Sequence, residues 1–518
     1  MGSGAVKAAL VSRDGDVRAA AIREIETFML DGTGAEQDPE QWWSAVTGAA
    51  REALAASGLD PQNVIAVKCV TQWAVTVPVD REGKALARAI SWMDTRGGPY
   101  VRKLVGGPVR IEGYDPLKLR RWIKLTGGAP VQSGIDGLGH ILFFKHERPD
   151  VYEATHKFLE PMDYLNLRLC GRIAASPGSM FPYWVTDNRD PLAIDYDARL
   201  LAMAGVERAK LPDLVGADAI VGRLSEPAAA ELGLCAGTSV LAGSSDGQIA
   251  AIGAGAIRPD EGYFYVGTSS WMSCHVPAKK TDLRHMIATM PSALPGRYVV
   301  TAEQGMAGRC LEFLKDNVLY PREAYPDGPP EDVYETLNRQ AEAVPAGSDG
   351  LLFTPWINGV LTPRDDPATH SAFFNQSWRT TRGHYVRAVM EGVAHNQRWL
   401  KRHLERFAGQ RFEQLNFIGG GALSDLWCQI HADMLGCRVG QVANPRYANA
   451  AGAALAGFAT LGELTLDELH DRVKLAAVYE PDPQRHALYA TQHREFLRFY
   501  RRNRPIYKRL NNSRASHS

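Results

Sequence analysis

Cysteine is scarce in this chain, and neither sign of charge is in excess. Seven of the 518 residues are cysteine, and no two of them are spaced as Cys-x-x-Cys. That scarcity argues against both a zinc site and a disulfide framework. Lysine plus arginine and aspartate plus glutamate both total 58, so the net charge is zero. A protein that binds nucleic acid or an anionic membrane usually has an excess of positive charge, which this chain lacks. A small polar or neutral partner fits this composition better.

Long hydrophobic runs are also missing. No apolar stretch approaches the roughly 20 residues that a membrane-spanning helix needs, and the N-terminus lacks the charged-then-apolar layout of a signal peptide. We therefore expect a cytoplasmic protein with reduced cysteines, no membrane segment and no nucleic-acid partner. Whether the protein forms a homodimer is left open.

What the chain does contain is an alternation of strand and helix patterns, which indicates an α/β architecture with mostly buried sheets. Helical spacing covers 41–56, and 64–70 is strand-like. A length of 518 residues exceeds one core of ordinary size, so we expect at least two domains, with a Pro- and Gly-containing junction over 211–243. The predicted boundaries are 1–240, 241–505 and a basic tail at 506–518. The basic C-terminal region favours an amphipathic closing helix with a solvated tail over an RNA-binding arm.

Two short segments read as an internal repeat. The segment that begins with Gly2 and Ser3 aligns with the one that begins with Gly267 and Thr268. The second copy follows the strand-like run Gly-Tyr-Phe-Tyr-Val, whereas only Met1 precedes the first. In a glycine–hydroxyl turn, backbone N–H groups and a hydroxyl point at one spot, so two such turns across a cleft would hold a polyphosphate. The alternative for each segment by itself is an ordinary hairpin turn.

A third glycine turn lies between a strand over 415–418 and a helix that Ser424 or Asp425 would cap. Three glycines at 419–421 let the backbone approach a ligand, and the helix N-terminus offers partial positive charge. The segment lacks the Gly-Lys-[Ser/Thr] of a P-loop, and the alternative is a tight structural turn. We interpret it as a nucleotide-binding turn.

Asp246 follows an apolar strand over 239–242 and precedes Gly247 and a helix of small residues. A carboxylate at the carboxyl end of a strand can accept a hydroxyl proton during phosphoryl transfer. The alternative is a helix N-cap. Upstream, a short span supplies amide, charged and indole groups that suit a polyol, namely Gln72, Trp73, Trp92, Asp94 and Arg96. For the last two residues the alternative is a surface ion pair.

Together, these segments resemble the FGGY carbohydrate kinases, and within them the xylulokinases, over nearly the whole chain. The matching stretches, in order, are GSGAVK, ISWMDTRG, FLEPMDYLNLRLCG, GSSDGQIAAIGAG, VGTSS, GLLFTPWINGVLTPRDDPATHSAFF, RAVMEGVAHNQRW, FIGGGALSDLWCQIHADMLGCRV and ANAAGAALAG. Each match is modest by itself, but nine in the same order are highly specific.

The resemblance implies two actin-like (ribonuclease-H-like) ATPase domains, with ATP and a sugar bound in the cleft between them. By position, it makes Asp246 the catalytic base and assigns the sugar site to Gln72, Trp73, Asp94, Arg96 and Gly247. Nucleotide binding falls to Gly2, Ser3, Gly267, Thr268, Gly308, Gly420, Gly421, Ala422 and Asp425. Mg²⁺ is implied as the ion that bridges the phosphates, with its protein ligands left open. The expected function is ATP-dependent phosphorylation of a sugar or polyol, and the alternative is a catalytically poor relative that acts as a sugar- and nucleotide-binding module.

Departures from the family pattern shape these expectations. Residues 72–75 read Gln-Trp-Ala-Val where xylulokinases read Gln-Met-His-Gly, so we expect D-xylulose not to be the best substrate by a wide margin. Gly247 replaces a common Asn or Gln, and 174–180 lacks the usual Thr-Asp pair.

The Asp of the family's D-x-G-T motif would come just before Met1, together with a central strand. Without that strand, neighbouring N–H and C=O groups would be unpaired, at about 1–3 kcal/mol each. We therefore expect a misassigned start codon rather than evolved loss, and an expression remnant reading Met-Gly-Ser is the other explanation.

Overall fold

Two α/β halves make up residues 1–511, the part of the chain that this computed structural model describes. The strands of the N-terminal half are β1 (Ala5–Val11), β2 (Val17–Glu24), β3 (Phe28–Leu30), β4 (Gly34–Gln37), β5 (Ala66–Thr71), β6 (Val77–Val79), β7 (Ala89–Ile90), β8 (Lys157–Leu159), β9 (Ala174–Ala175), β10 (Thr186–Asp187), β11 (Asp195–Tyr196), β12 (Asp213–Leu214), β13 (Ile220–Arg223) and β14 (Ser239–Ser245). Its helices are α1 (Pro39–Ser57), α2 (Gly98–Val105), α3 (Pro116–Thr126), α4 (Gly137–Glu147), α5 (Pro149–Ala154), α6 (Pro161–Cys170), α7 (Ala198–Ala204) and α8 (Glu226–Leu232).

The C-terminal half begins with a helix that leads directly out of β14. Its strands are β15 (Gly262–Val266), β16 (Ser269–Val276), β17 (Thr281–Asp282), β18 (Ile287–Pro291), β19 (Tyr298–Met306), β20 (Leu352–Thr354), β21 (Ala372–Phe374), β22 (Gln414–Ile418), β23 (Arg438–Val442) and β24 (Leu475–Tyr479). Its helices are α9 (Asp246–Gly253), α10 (Gly308–Leu314), α11 (Val333–Glu342), α12 (Arg382–Ala408), α13 (Asp425–Leu435), α14 (Ala448–Thr460), α15 (Leu466–Arg472) and α16 (Pro483–Asn511).

The C-terminal half is organised around one eight-stranded sheet in the order β17-β18-β19-β16-β15-β22-β23-β24. β15 pairs antiparallel with β16 and parallel with β22. The central strands are apolar runs because they are buried on both faces. Phe264, Val266 and Phe417 share one core with residues of α12. The predicted strands at 262–266 and 415–418 are confirmed as β15 and β22.

The N-terminal half has its main strands in two separate pieces. β1 pairs antiparallel with β2, whereas β5 pairs parallel with β14, which pairs antiparallel with β13. The predicted helix over 41–56 is confirmed as α1, which begins after the N-cap Asp38 and ends at Gly58. The predicted strand over 64–70 is confirmed as β5 with a small shift of its ends.

α9 and α14 cross where neither helix has a side chain in the way. A Cβ atom at Gly253 would collide with the Ala448 carbonyl, and one at Gly452 would lie 2.6 Å from the Gly253 nitrogen. α9 follows the N-terminal sheet and α14 follows β23 of the C-terminal sheet. This crossing therefore packs the end of α9, the helix that follows β14, backbone to backbone against α14.

Two predicted boundaries fall inside regular elements. β14 pairs with β5 from Ser239 to Ser245, so the boundary between 240 and 241 lies within a strand of the N-terminal sheet. α16 runs through the predicted start of the tail at 506, and the Asn511 side-chain amide donates to the Ala368 carbonyl at 2.8 Å. Residues 512–518 of the predicted tail lie outside the described residues.

All seven cysteines lie within the described residues, and none is bonded to another. None of the helices described for residues 1–511 combines the length and apolar character that crossing a bilayer demands.

Candidate active site

One cavity of about 2040 Å³ runs through the cleft between the two halves. The predicted site residues that line it are Gly2, Asp246, Gly267, Thr268, Gly308, Gly420, Gly421 and Asp425. The predicted site residues outside its lining are Ser3, Gln72, Trp73, Asp94, Arg96, Gly247 and Ala422. The structure thus brings the predicted base together with most nucleotide positions and keeps the predicted sugar positions off the cavity surface.

β14 delivers Asp246 to the cleft as the first residue of α9. Ser245, and not Asp246, is the N-cap of this helix, and its backbone N–H and hydroxyl each donate to Gln248 Oε1 at 3.0 Å. The N-cap alternative for Asp246 is therefore wrong. The Asp246 carboxylate accepts the Gly247 N–H at 2.8 Å. Burial raises the pKa of Asp246 because it disfavours the charged form, which suits a group that accepts a proton from a bound hydroxyl.

The turn of Gly267 and Thr268 joins β15 to β16 and lies against the start of α10. The Gly308 N–H donates to the Gly267 carbonyl at 2.7 Å, and the Ala307 N–H donates to the Thr268 carbonyl at 3.1 Å. A side chain at Gly308 would collide with the Gly267 carbonyl, so this approach requires glycine. Thr268 is exposed on the cavity, and its hydroxyl is open to a ligand.

The three glycines of the turn after β22 have different surroundings. Two are required by the fold, and one is open to the cavity. Gly419 has a φ of 95°, which glycine adopts readily, and its N–H donates to the Pro445 carbonyl at 3.1 Å. Gly421 is buried, and an added Cβ atom would lie 2.9 Å from Val266. Gly420 is exposed, with nothing within 4 Å of an added Cβ atom. Gly420 is therefore the position where the backbone is open to a ligand.

The helix that follows this turn, α13, has Ser424 as its N-cap, and the Ser424 hydroxyl accepts the Trp427 N–H at 3.1 Å. Gln441 Nε2 donates to the Ala422 carbonyl at 2.7 Å and to Asp425 Oδ1 at 3.1 Å. Ala422 is fully buried, whereas Asp425 is exposed on the cavity. Ala422 is therefore part of the packing beneath the turn, and Asp425 faces the cavity.

At the N-terminal turn, side chains hold Ser3 away from the cavity. Ser3 Oγ donates to Gln72 Oε1 at 2.8 Å and accepts the indole N–H of Trp92 at 3.0 Å. Gln72 is buried, and its Nε2 donates to Gln37 Oε1 at 2.6 Å. Both ends of the Gln72 amide thus have protein partners. Gly2 remains on the cavity, with nothing within 4 Å of an added Cβ atom.

Trp73 begins a sharp turn after β5 and stacks on Phe181, with ring centroids 5.5 Å apart. Ala74 has a φ of 55°, a left-handed conformation that is unfavourable for a residue with a side chain. The next residue holds this turn, because the Val75 N–H donates to Glu160 Oε2 at 3.2 Å. The Trp73 indole N–H is buried and has no hydrogen-bond partner among the described residues. A donor and an aromatic face are therefore fixed together near the cleft.

Asp94 and Arg96 form an ion pair rather than facing the main cavity. Arg96 Nη2 lies 2.6 Å from Asp94 Oδ2 and 2.7 Å from Glu36 Oε1. Asp94 also accepts the Ala35 N–H at 2.9 Å and is 1% exposed. Arg96 lies 4.3 Å from the centre of the Phe143 ring and lines a separate cavity of about 490 Å³. The geometry matches the ion-pair alternative, with the carboxylate buried.

Several cationic side chains that line the cavity are absent from the predicted site residues, among them Lys7 on β1 and Arg446 in the turn before α14. Burial, and then the nearby Arg446, lower the pKa of Lys7. A phosphate bound beside both groups would relieve their repulsion. Lys7 could have been predicted from the sequence, because it is the last residue of the family-like segment GSGAVK. Arg446 could not, because its position depends on the long-range contact between Pro445 and Gly419.

The end of the cavity between α11 and α13 is lined by both apolar and charged side chains. The apolar and aromatic residues there are Leu311, Tyr334, Leu337, Leu423 and Trp427, and α11 also contributes Glu335, Arg339 and Glu342. Asn338 lines the same region and accepts the Ser424 hydroxyl at 2.5 Å. A slot with aromatic rings and an amide at its edge suits a planar base. The spacing of Tyr334, Leu337 and Asn338 places them on one face of a helix, which is how the sequence could have indicated this part of the cavity.

A divalent cation in the cleft would find the Asp246 carboxylate on the cavity that the glycine turns also line, with Glu312 and Asp425 on the same cavity. Within residues 1–511, no group of three or more His, Cys, Asp or Glu side chains could hold a metal ion. Mg²⁺ usually keeps several waters and binds through one or two carboxylates plus substrate phosphates. The site therefore fits Mg²⁺ that arrives with a nucleotide, and it does not fit a metal centre built from protein ligands alone.

Two α/β halves with a glycine-lined cleft and a strand-end carboxylate define a phosphotransferase of the actin-like class. The chain belongs to the FGGY family of carbohydrate kinases. The N-terminal domain of that family matches residues 1–253, and the C-terminal domain matches residues 262–461. The predicted family, fold class and ATP-dependent phosphorylation of a sugar or polyol are thereby confirmed.

Related proteins support the same class and differ in the substrates that their names give. The chain is 26% identical to xylulose kinase from Bacillus subtilis, over 95% of this chain and 93% of the relative. It is also 26% identical to autoinducer-2 kinase from Klebsiella pneumoniae, over 94% and 90% of the two chains. The ligand-bound structure of xylulose kinase from Lactobacillus acidophilus has a TM-score of 0.83 at 19% identity and covers 98% of each chain. None of these comparisons favours the alternative of a catalytically poor binding module.

Proposed function

We propose that this kinase transfers the γ-phosphoryl group of MgATP to one hydroxyl of a small sugar or polyol, with Asp246 as the general base. The observation that carries the proposal is the position of Asp246, a half-buried carboxylate on the same cavity as Thr268 and Gly420. Phosphoryl transfer depends mainly on positioning and electrostatic stabilisation. The base therefore has only to orient the acceptor hydroxyl and take its proton.

In the proposed complex, the purine lies in the slot between α11 and α13, and the Gly420 backbone borders it. The backbone N–H groups and hydroxyl of Gly267 and Thr268 receive phosphate oxygens, as in other glycine turns. Lys7 from one half and Arg446 from the other neutralise phosphate charge, because both line the cavity. Mg²⁺ held by the phosphates would offset the charge that develops during transfer.

The sugar side of the cleft is aromatic. Tyr265 and Trp271 line the cavity and stack with ring centroids 3.9 Å apart. Trp73 and Phe181 belong to the same packed cluster. Aromatic faces suit the C–H surfaces of a sugar. Because residues 72–75 depart from the xylulokinase pattern, we expect D-xylulose not to be the best acceptor by a wide margin.

An ADP-release assay over a panel of pentuloses, ketoses and polyols tests this function. We expect at least one acceptor to stimulate ADP release, and we expect D-xylulose not to lead the panel by tenfold in kcat/KM, which corresponds to about 1.4 kcal/mol. The Asp246→Asn variant measures the background. A tenfold lead for D-xylulose would refute the proposed pocket, and no stimulation by any acceptor would favour the binding-module alternative.

A further inference from the structure

β19 carries a carboxylate that is absent from the predicted site residues. Glu303 on this strand pairs with Trp271 on β16, and Trp271 lines the large cavity. Residues directly opposite each other on antiparallel strands point to the same face, with Cβ atoms about 4.5–5.5 Å apart. Glu303 therefore lies next to the indole ring that borders the sugar side of the cleft.

The alternation of side chains along β19 places Glu303 on the same face as Thr301. Ala302, which lies between them, is buried in the core that also contains residues of α12, so Thr301 and Glu303 point to the opposite face. Thr301 lies against the start of α9, because a Cβ atom added to Gly247 would lie 3.7 Å from its hydroxyl oxygen. Two residues further along the strand, Glu303 follows a residue that contacts the helix of Asp246.

The negative charge of Asp246 acts on Glu303. The Glu303 side chain is open to solvent, yet the walls of the cleft surround it. This partial desolvation, and then the nearby Asp246 carboxylate, raise the pKa of Glu303. No cation of residues 1–511 is among the causes of this shift. The acceptor side of the cleft therefore contains two carboxylates, and none of the described cations neutralises Glu303.

The polar groups on this face of β19 suit the hydroxyls of an uncharged molecule. Thr301 Oγ1 is buried and has no hydrogen-bond partner among residues 1–511, and a hydroxyl can both donate and accept. The ionised carboxylate of Glu303 only accepts, and its two oxygens can bind two hydroxyl donors at once. A molecule with a carboxylate or phosphate of its own would bring a further negative charge beside Asp246 and Glu303, which is unfavourable.

We infer that Glu303 is a specificity-determining residue of the acceptor site. Its carboxylate accepts hydrogen bonds from acceptor hydroxyls other than the one that reacts, and its charge excludes acceptors that carry a carboxylate or a phosphate. The acceptor is therefore a neutral sugar or polyol. This inference rests on the proposed function, in which Asp246 takes the proton of the reacting hydroxyl. A repulsive group of this kind gives specificity by weakening the binding of the wrong compound.

The test uses compounds that differ only at one end, namely xylitol, xylonate and the matching amino alditol, with the same end groups on the ribitol and arabinitol skeletons. Titration calorimetry gives Kd for each compound, and an ADP-release assay gives kcat/KM. Glu303→Gln removes the charge and keeps the size of the side chain. Glu413→Gln is the control, because it removes the same charge from an exposed residue that precedes β22, at the end of that strand far from the glycine turn.

We expect the wild-type protein to bind the polyol at least about 30-fold more tightly than the matching acid. In Glu303→Gln that ratio should fall by about tenfold, because the acid binds more tightly once the charge is gone, while Tm stays unchanged. Glu413→Gln should leave both the ratio and Tm at their wild-type values.

An unchanged ratio in Glu303→Gln would overturn the inference. Binding of the amino alditol about tenfold more tightly than the polyol would also overturn it, because the preferred group would then be an ammonium. A higher Mg²⁺ requirement in Glu303→Gln with an unchanged ratio would make Glu303 a metal ligand instead. The expected change in the binding ratio without ADP release from any acceptor would support the inference and refute the proposed function.

Discussion

The two halves of the molecule build similar glycine–hydroxyl turns by different means. In the C-terminal half, backbone groups hold the turn: the N–H of Gly308 donates to the Gly267 carbonyl, and Thr268 is free to face the cavity. In the N-terminal half, side chains hold it, because Gln72 and Trp92 bind the Ser3 hydroxyl. The same turn thus presents its hydroxyl to the cavity in one half and to the protein interior in the other.

The largest expected effect concerns Asp246, which belongs to neither turn and lies where the halves meet. Asp246→Asn keeps the shape of the side chain and its hydrogen bonding to a hydroxyl, but it cannot take a proton. We expect kcat to fall by about 100-fold or more, while calorimetric Kd values for ATP and acceptor change little.

Glu312→Gln provides a control for this variant, because Glu312 is another carboxylate that lines the cavity. It should leave kcat within about threefold of the wild type, since surface substitutions away from special features have small effects. Near-normal turnover in Asp246→Asn would remove Asp246 from the proposed role.

The next effect separates two neighbouring glycines of the C-terminal half. Gly420→Val places a side chain in open cavity, so we expect ATP affinity to fall by about tenfold, or about 1.4 kcal/mol, with an unchanged Tm. Gly421→Val instead forces a side chain against Val266 and should lower Tm. Titration calorimetry and thermal unfolding measure the two outcomes. A Gly420→Val protein with wild-type ATP affinity would contradict the proposed nucleotide position.

The paired hydroxyl variants test the comparison of the halves directly. Thr268→Ala removes a group that faces the cavity, and we expect KM for ATP to rise about fivefold, or about 1 kcal/mol, the size of one hydrogen bond. Ser3→Ala removes a group bonded inside the protein, so it should lower the free energy of unfolding by about 1 kcal/mol with KM for ATP nearly unchanged. A rise in KM for ATP in Ser3→Ala, with only a loss of stability in Thr268→Ala, would contradict the comparison of the two halves.

The smallest expected effect is a shift to higher pH of the acid limb of the kcat/KM profile. A base works when it is deprotonated, so activity is lost as pH falls through its pKa. Because burial raises the pKa of Asp246, the acid limb of kcat/KM should lie above the ordinary aspartate value of about 3.9. Initial rates from pH 4 to pH 8, with acceptor binding measured separately, check this. An acid limb at the ordinary value would contradict it.

The sequence was most informative where local chemistry decides the structure. Glycine turns and caps follow from a few neighbouring residues, so the strands at β15 and β22 and the turns after them were predictable. Asp246 could be predicted as the base because the strand, the carboxylate and the helix of small residues follow one another directly in the sequence. Local patterns could not separate Ser424 from Asp425 as the cap of α13, because two adjacent residues could each cap the helix, and Ser245 was not foreseen as the cap of α9.

The rest depends on contacts between distant segments. Asp94 was predicted to face a sugar, but the structure pairs it with Arg96 and the Ala35 backbone, and nothing in their spacing reveals Ala35. Arg446 reaches the cleft because the preceding proline carbonyl binds Gly419. Such positions are set by the packing of one half against the other, which a linear pattern does not encode.

The crossing of α9 and α14 makes glycine a requirement on both helices at once. Because Gly253 and Gly452 bring the two backbones into contact, a methyl group at either position would force the two helices apart. Asp246 lies at the other end of α9, about 10 Å along the helix. A substitution at the crossing would therefore displace the carboxylate without changing any residue that lines the cavity.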